Sequence, residues 1–382
     1  MALSRPLDPA IAAYLGDPPA LDSVPRGTRL PLPDEPFVEC WREWVAEARD
    51  QGAVAVLRRH LPQLAFPVRE GTSRDADYRA ATLRGVPAAG LAGATGLPLR
   101  PGRVEIELHA SAAGHIPVLL ARGREEFTLL VQALLRRNEP VPVPATQGAT
   151  MAAGYNNWTR LRALEARLEV PEDATEESRA EARARLRERK ELYQDRFIVL
   201  SDGPYSAVPA ADLGLENEAW RALSLAIRRE HECCHYFTRR LFGSMRNNVH
   251  DELAADYSGI AAASGSFRAA WFLRFLGIED PGGIRPDGRL ALYLGDPPLG
   301  DEAARDLAGL VRAAAVQLER FDAGRPLGGG PAALGLRIAA LMSLPLPDLA
   351  AADGAARLEA AERRAAERFD LGGRPPVQVL RG

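Results

Sequence analysis

The chain has 382 residues, of which 46% are hydrophobic and 26% are charged. These fractions are typical of globular proteins and exclude disordered, collagen-like and coiled-coil chains. The formal net charge is −3, from 48 basic and 51 acidic residues, so nothing in the charge favours nucleic acid or an anionic lipid surface as a partner.

The same sequence bears on the cellular compartment. No stretch reaches the roughly 18 to 20 apolar residues that a membrane span needs, and the first residues have no apolar core long enough for a signal peptide. The cysteines, Cys40, Cys233 and Cys234, are too few for a disulfide framework. The sequence therefore predicts a cytoplasmic protein with free thiols and no membrane partner.

The first hundred residues predict an irregular arm followed by helices. Residues 37–61 place apolar side chains at helical spacing with charges between them, and Pro62 closes the predicted helix. A shorter helix is predicted over residues 73–84. We therefore expect residues 1–100 to form an N-terminal arm with helices.

The pattern changes to that of strands after residue 100. Residues 103–110 alternate apolar and charged side chains, as a half-buried strand does, and residues 116–121 predict a second strand. A helix is predicted over residues 124–137. Residues 141–158 contain so many prolines, glycines and asparagines that no regular structure is predicted there.

A dense run of charges then precedes a third strand. Residues 172–191 predict a solvated helix with ion pairs between side chains four residues apart. Residues 196–208 begin with a short apolar run that predicts a buried strand.

Helices dominate the rest of the chain. Residues 216–242 predict a long helix, and a second helix is predicted to start near Asn247 or Asn248, since asparagine is a good N-cap. Further helices are predicted towards the C-terminus, over a stripe from Leu307 to Phe321 and over residues 331–343 and 354–369.

The long helix carries the motif that points to chemistry. His231, Glu232 and His235 form an HExxH pattern. Histidines four residues apart lie on one face of a helix, so both imidazoles can reach one ion. Glu232 points about 100 degrees away, which suits a base acting on a metal-bound water. The alternative for the two histidines is a pair of hydrogen-bonded core side chains.

A third ligand is available on the following helix. Zinc catalytic sites usually have three protein ligands and an open position for water. Glu252 can bind the same ion, and Asp256, four residues later, can accept the other ring N–H of one ligand histidine. The alternative for these two acids is a solvated helix face.

An HExxH helix followed by a helix with ExxAD resembles the gluzincin branch of the zincin metalloproteases. The resemblance covers about residues 196–263. It implies that His231, His235 and Glu252 bind one zinc ion, that Glu232 is the general base, and that Asp256 orients a ligand histidine. It also implies that the strand within residues 196–208 lies at a sheet edge, where a peptide substrate pairs with it.

Other residues near the motif are candidates for roles at the same site. His250 and Tyr205 are candidate donors to a developing oxyanion, and the alternative for His250 is a surface histidine near a helix N-terminus. Cys234 shares the apolar face with the first histidine, and a packing role suits it better than ligation. A ferritin-like di-iron site is not expected, because it needs two ExxH pairs and the chain has one.

The sequence thus predicts an α+β, helix-rich protein. A zincin-like core with a small β-sheet is expected over residues 101–280, and a C-terminal helical segment over residues 281–382. The alternative is that these parts and the N-terminal segment form one compact unit. The expected function is zinc-dependent hydrolysis of a peptide or small amide substrate, with one Zn²⁺ per chain. The alternatives are a non-catalytic binding or structural protein on a zincin scaffold, and a metalloenzyme acting on a small-molecule amide or ester. The oligomeric state is not predicted.

Overall fold

The structure is a computed structural model that describes residues 7–169, 175–243, 245–246, 248–279, 283–286, 288–325 and 327–371. Helices predominate in these ranges, and the strands form small sheets. The predicted α+β, helix-rich class is therefore confirmed. No helix in these ranges combines the length and the apolar character needed to cross a bilayer.

The secondary structure of the described residues can be given in chain order. The α-helices are α1 (Pro9–Leu15), α2 (Val38–Gln51), α3 (Ala53–His60), α4 (Ala76–Arg84), α5 (Arg124–Leu135), α6 (Trp158–Ala166), α7 (Glu176–Glu188), α8 (Asn217–Phe242), α9 (Val249–Ser264), α10 (Ala269–Leu276), α11 (Asp301–Asp322), α12 (Gly330–Ser343), α13 (Leu346–Ala350) and α14 (Gly354–Ala366). The strands are β1 (Thr28–Arg29), β2 (Val104–Ser111), β3 (Gly114–Ala121), β4 (Ala149–Asn156), β5 (Gln194–Ser201), β6 (Ile278–Glu279), β7 (Gly283–Ile284) and β8 (Phe369–Asp370).

The described residues divide into two compact units. The first unit draws on Met1–Pro33, Ala110–Gly114 and Pro204–Gly382, and the second unit on Asp34–His109 and His115–Gly203. Compactness alone does not test the predicted boundaries after residues 100 and 280, which remain predictions.

The second unit is built on a four-stranded sheet in the order β2-β3-β5-β4. Strand β5 runs parallel to β3, with Val118 opposite Ile198, and antiparallel to β4, with Met151 opposite the same residue. Aromatic side chains of α2 pack on this sheet. The ring centroids of Trp41 and Phe197 are 5.2 Å apart. A hydrophobic core therefore joins α2, α3 and α5 to the sheet.

The expectation of an edge strand within residues 196–208 is wrong. Strand β5 is paired on both sides, so its backbone has no open edge for a substrate. Its residues Phe197–Leu200 are all fully buried. A continuous apolar run is typical of a strand that is buried on both faces, as the interior strands of a covered sheet are.

Two further predictions about the second unit need correction. The helix predicted over residues 37–61 is interrupted at Gly52, whose φ of 81° leaves the helical region. The segment 141–158 contains β4, although its alanines and glycine have weak strand propensity. Pairing with β5 fixes this strand, and an irregularity between Ala153 and Tyr155 accommodates Gly154.

A buried carboxyl group links the sheet to two neighbouring helices. The Oδ2 atom of Asp195 accepts hydrogen bonds from Trp41 Nε1 (2.8 Å) and Asn157 Nδ2 (3.0 Å), whereas its Oδ1 has no partner among the described residues. Asn157 is also the N-cap of α6. Burial raises the pKa of Asp195 to about 7, so a proton on this carboxyl is expected near neutral pH.

Asp195 should make stability depend on pH. The native state keeps its proton up to about pH 7, whereas an unfolded aspartate loses its proton near pH 3.9. The native state binds more protons in this window, so the free energy of unfolding falls as pH rises. In Asp195→Asn we expect the fall between pH 5 and pH 8 to be about 2–3 kcal/mol smaller than in the wild type. Urea unfolding of both proteins at both pH values measures this, and equal falls would contradict the assignment.

The first unit is organised around the pair α8 and α9. Residues 249–261 of α9 are buried on every side, including several charged and polar side chains. Such groups need partners inside the protein, because burial without hydrogen bonds is costly. The two helices come close at Gly259, where a Cβ atom would lie 2.5 Å from the carbonyl oxygen of Ile227 on α8.

The predicted ends of these helices are close to the observed ones. Helix α8 begins one residue later than expected and ends at the predicted residue. Helix α9 begins after Asn248, whose side-chain oxygen accepts hydrogen bonds from the backbone N–H groups of His250 and Asp251. The alternative cap, Asn247, lies outside the described residues, as does the start of the charge run at residues 172–174.

Candidate metal centre

Helix α8 places the two motif histidines on one face. His231 and His235 are one helical turn apart, and their Nε2 atoms approach to 3.1 Å. The side chains are 9% and 13% exposed, so both imidazoles lie largely inside the protein. Two Nε2 atoms at this distance need a proton or a cation between them, since two lone pairs facing each other repel.

Helix α9 brings a carboxylate to the same point. Glu252 lies in the first turn of the helix, and its side chain is 4% exposed. Its Oε2 is 3.6 Å from His231 Nε2, and its Oε1 is 3.3 Å from His235 Nε2. The close approach of the two helices therefore gathers three potential ligand atoms within 4.8 Å of one another.

These spacings fit a tetrahedral metal site. Zinc binds histidine nitrogen and carboxylate oxygen at about 2.0–2.2 Å, so neighbouring ligands of a tetrahedral site lie about 3.3–3.5 Å apart. The observed separations are 3.1, 3.3 and 3.6 Å. Two histidines and one carboxylate are also a ligand set found in catalytic zinc sites. The residues present therefore fit a zinc ion.

Asp256 fixes the orientation of the first histidine. Its Oδ1 is 2.8 Å from His231 Nδ1, and its side chain has no exposed surface. The Nδ1 atom therefore donates its hydrogen to the carboxylate. This tautomer leaves a lone pair on Nε2, on the side that faces His235 and Glu252, as a metal ligand requires.

Tyr205 completes this arrangement behind the imidazole. Its hydroxyl donates to Asp256 Oδ1 (2.5 Å) and lies 2.8 Å from His231 Nδ1. Its backbone N–H donates a hydrogen bond to Ser224 Oγ at 3.0 Å. The hydroxyl thus lies on the Nδ1 side of the ring, away from the three converging ligand atoms. These contacts support a positioning role and not the predicted oxyanion role.

Arg289 connects both carboxylates and was not predicted from the sequence. Its Nη2 donates to Glu252 Oε2, and its Nη1 lies 3.4 Å from Asp256 Oδ2 and 3.0 Å from the Tyr205 hydroxyl. Nη1 also donates to Ser206 Oγ at 2.9 Å. One guanidinium group therefore contacts both buried carboxylates of α9 and offsets part of their negative charge.

The electrostatics of the cluster keep both carboxyl groups ionised. Burial by itself raises the pKa of each carboxyl, but the nearby cationic groups outweigh that effect. The pKa of Glu252 consequently lies far below its usual value, and that of Asp256 is also lowered. Burial lowers the pKa of His235, but the hydrogen bond and charge of Glu252 more than offset this and raise it. Both acids are therefore carboxylates at neutral pH, and Glu252 can serve as an anionic ligand for a cation.

Glu232 lies next to these residues without joining them. It follows His231 on α8 and is partly exposed. No hydrogen bond or ion pair engages its carboxylate within the described part of the chain, although its charge acts on His235. Its position therefore leaves the carboxylate available to a water molecule or a substrate.

His250 contacts protein groups outside the three-ligand cluster. Its Nε2 lies 3.2 Å from the carbonyl oxygen of Leu341, and its Nδ1 lies 3.2 Å from Arg246 Nη2. Burial, reinforced by the arginine charge, lowers the pKa of His250 to about 4, so the ring is neutral at pH 7. With both nitrogens in contact with the protein, the geometry does not support the predicted oxyanion role.

The cysteines beside the motif are buried free thiols. Burial raises the pKa values of Cys233 and Cys234 well above the usual range. Both are therefore protonated at neutral pH. This agrees with the packing role expected for Cys234, because a thiol must lose its proton to bind a metal.

Comparison with known proteins identifies the family of the chain. Neither the curated proteins nor the solved structures contain a match. The sequence model of one family, described as a family of unknown function (DUF7005), matches residues 11–353. The chain belongs to the DUF7005 family.

Proposed function

We propose that this protein is a zinc-dependent hydrolase that cleaves a peptide bond or another amide bond. The observation that carries the proposal is the convergence of His231, His235 and Glu252 at separations suited to one tetrahedral ion. Imidazole and carboxylate donors in this number are typical of catalytic zinc.

The arrangement around the ligands supports a gluzincin-type site. The HExxH residues lie on α8, and the ExxAD residues lie on the next helix, α9. Asp256 contacts the nitrogen of His231 that is not available for the metal. This is the role that the resemblance gives to the final acid of the motif. The proposed zincin likeness rests on this helix pair and its contacts.

The proposed chemistry divides the work between the metal and the chain. A bound zinc ion supplies a Lewis acid that polarises the scissile carbonyl and lowers the pKa of water. Glu232 removes a proton from the attacking water and passes it to the leaving amine nitrogen. Asp256 keeps His231 in one tautomer throughout, and Arg289 holds the Asp256 and Glu252 carboxylates in place.

Glu232 distinguishes this proposal from a binding or structural protein on the same scaffold. A carboxylate with a structural role would be expected to accept hydrogen bonds from its surroundings. The described residues give Glu232 none, although they satisfy both neighbouring acids of the cluster. An unengaged carboxylate next to a metal site is the arrangement that a general base needs.

Metal removal tests the proposed activity. Zinc-loaded protein should hydrolyse members of a peptide library or of a panel of small amides and esters. The chelator 1,10-phenanthroline should abolish cleavage, and added zinc, but not magnesium, should restore it. Cleavage confined to the small amides or esters would favour the small-molecule metalloenzyme. Cleavage that persists in the metal-free protein would contradict the proposal, and tight zinc binding without any cleavage would favour the binding protein.

A further inference from the structure

The second unit contains a cavity of about 520 Å³, whereas the proposed zinc ligands belong to the first unit. It opens between the C-terminal ends of α3 and α4, the segment 86–96 and the first turns of α6. Sites for small molecules usually measure about 300–1,000 Å³. The cavity is therefore large enough for a compact organic ligand.

The charged groups of this cavity all have one sign. Its lining includes Arg58, Arg59 and Arg162, and no aspartate or glutamate from the described residues. His60 also lines it and stacks on Trp44, with ring centroids 4.1 Å apart. Burial lowers the pKa of His60, so this ring adds no charge at neutral pH. The positive charge of the wall comes from the arginines.

The three arginines differ in whether a carboxylate of the protein neutralises their positive charge. Arg59 forms an ion pair with Glu47 at 2.5 Å. No described carboxylate lies within ion-pairing distance of Arg58 or Arg162, which instead donate to the backbone carbonyls of Leu97 and Trp158. These carbonyl contacts position the guanidinium groups without compensating their charge. Arg58 in particular has five N–H donors, and among the described residues it uses one of them.

The rest of the wall is mostly apolar, apart from Thr95 and Thr159, and includes one flat aromatic ring. Trp158 begins α6, and its indole lies against Gly85, where a Cβ atom would come within 2.6 Å of the ring. Gly85 also has a φ of 70°, a conformation that disfavours other residues. The glycine thus permits the close contact that holds the indole in the wall. Small side chains, such as Ala65 and Ala88, and the partly exposed Val86 complete the lining.

We propose that this cavity binds a small organic anion with a flat apolar body, such as an aromatic carboxylate or phosphate. The guanidinium groups of Arg58 and Arg162 recognise the anionic head group, since arginine pairs with both kinds of anion through parallel hydrogen bonds. Trp158 and the apolar wall receive the body of the ligand. None of the residues that line this cavity belongs to the proposed zinc site.

The test compares three probes that share one ring system. Isothermal titration calorimetry at neutral pH measures the binding of 2-naphthoate, 2-naphthyl phosphate and uncharged 2-naphthol to the full chain. We expect at least one anion to bind at least tenfold more tightly than the naphthol. The anion that binds more tightly identifies the preferred head group.

Variants then locate the binding site. Arg58→Gln should weaken anion binding at least tenfold and leave the affinity for naphthol unchanged. Arg59→Gln is the matched control, with a change below threefold, because Glu47 already neutralises Arg59. Trp158→Leu should weaken all probes that bind the wild type. The proposal is overturned if naphthol binds as tightly as the anions, if Arg58→Gln has no effect, or if no probe binds at millimolar concentration.

Discussion

Glu232→Gln is expected to lower the rate of hydrolysis roughly 10²–10⁴-fold, the usual contribution of a positioned general base. The substitution replaces the carboxylate that accepts the proton of the attacking water by an amide, which is far too weak a base for this role. Zinc content should be unchanged, because Glu232 is not among the three converging ligand residues. Steady-state hydrolysis of a substrate found by library screening, measured with an elemental analysis of the same sample, gives both values.

A matched variant separates this effect from a general loss of charge. Glu218→Gln removes an exposed carboxylate from the first turn of the same helix, α8, and should hydrolyse at the wild-type rate. Wild-type turnover by Glu232→Gln would refute the assigned base. Loss of zinc from Glu232→Gln would instead show that this carboxylate holds the metal.

Arg289→Met is expected to lower the unfolding free energy of the metal-free protein by about 3–5 kcal/mol, the usual effect of breaking a buried ion pair by removing one partner. The variant leaves the Glu252 and Asp256 carboxylates, which are 4% and 0% exposed, without their common cation. Zinc brings positive charge to the same place. The increase in Tm caused by zinc should therefore be larger in Arg289→Met than in the wild type.

Two other substitutions define what the Arg289 result means. Arg289→Lys keeps the charge and should recover part of the lost stability, although lysine cannot reproduce the bridging contacts of a guanidinium. Arg285→Met removes a nearby arginine whose ion pair among the described residues, with the half-exposed Glu279, is 3.9 Å long, and should change stability by less than about 1 kcal/mol. Equal denaturant midpoints for metal-free wild type and Arg289→Met would contradict the proposed charge compensation.

The helices of the site could be predicted closely because local patterns determine them. Helix α8 follows from its apolar periodicity, and α9 from the same signal and the capping side chain of Asn248. The spacing of His231 and His235 by one turn places them together on α8 whatever the tertiary structure. The approach of Glu252 depends on how α9 packs on α8, and only the motif resemblance could suggest it.

The parts that were missed depend on contacts between distant residues. Arg289 lies 37 residues after Glu252 in a short 3₁₀ segment, Arg289–Tyr293, that carries no motif. A chain with 48 basic residues gives no reason to select this one. Strand β4 forms because β5 offers it a partner, not because its own residues favour a strand. The uninterrupted apolar run of β5 is typical of an interior strand, so the interior position of β5 could have been predicted from the sequence.

Zinc content per chain tests the three-residue site most directly. Protein without an affinity tag, offered zinc at neutral pH and then dialysed, is analysed by elemental mass spectrometry. Wild type and a control, His115→Ala, should retain about one zinc ion, since His115 contacts Asp34 and no described ligand residue. His235→Ala and Glu252→Gln should lose it or bind it far more weakly. No zinc in the wild type, or full zinc in both ligand variants, would show that the histidines are hydrogen-bonded core residues and not metal ligands.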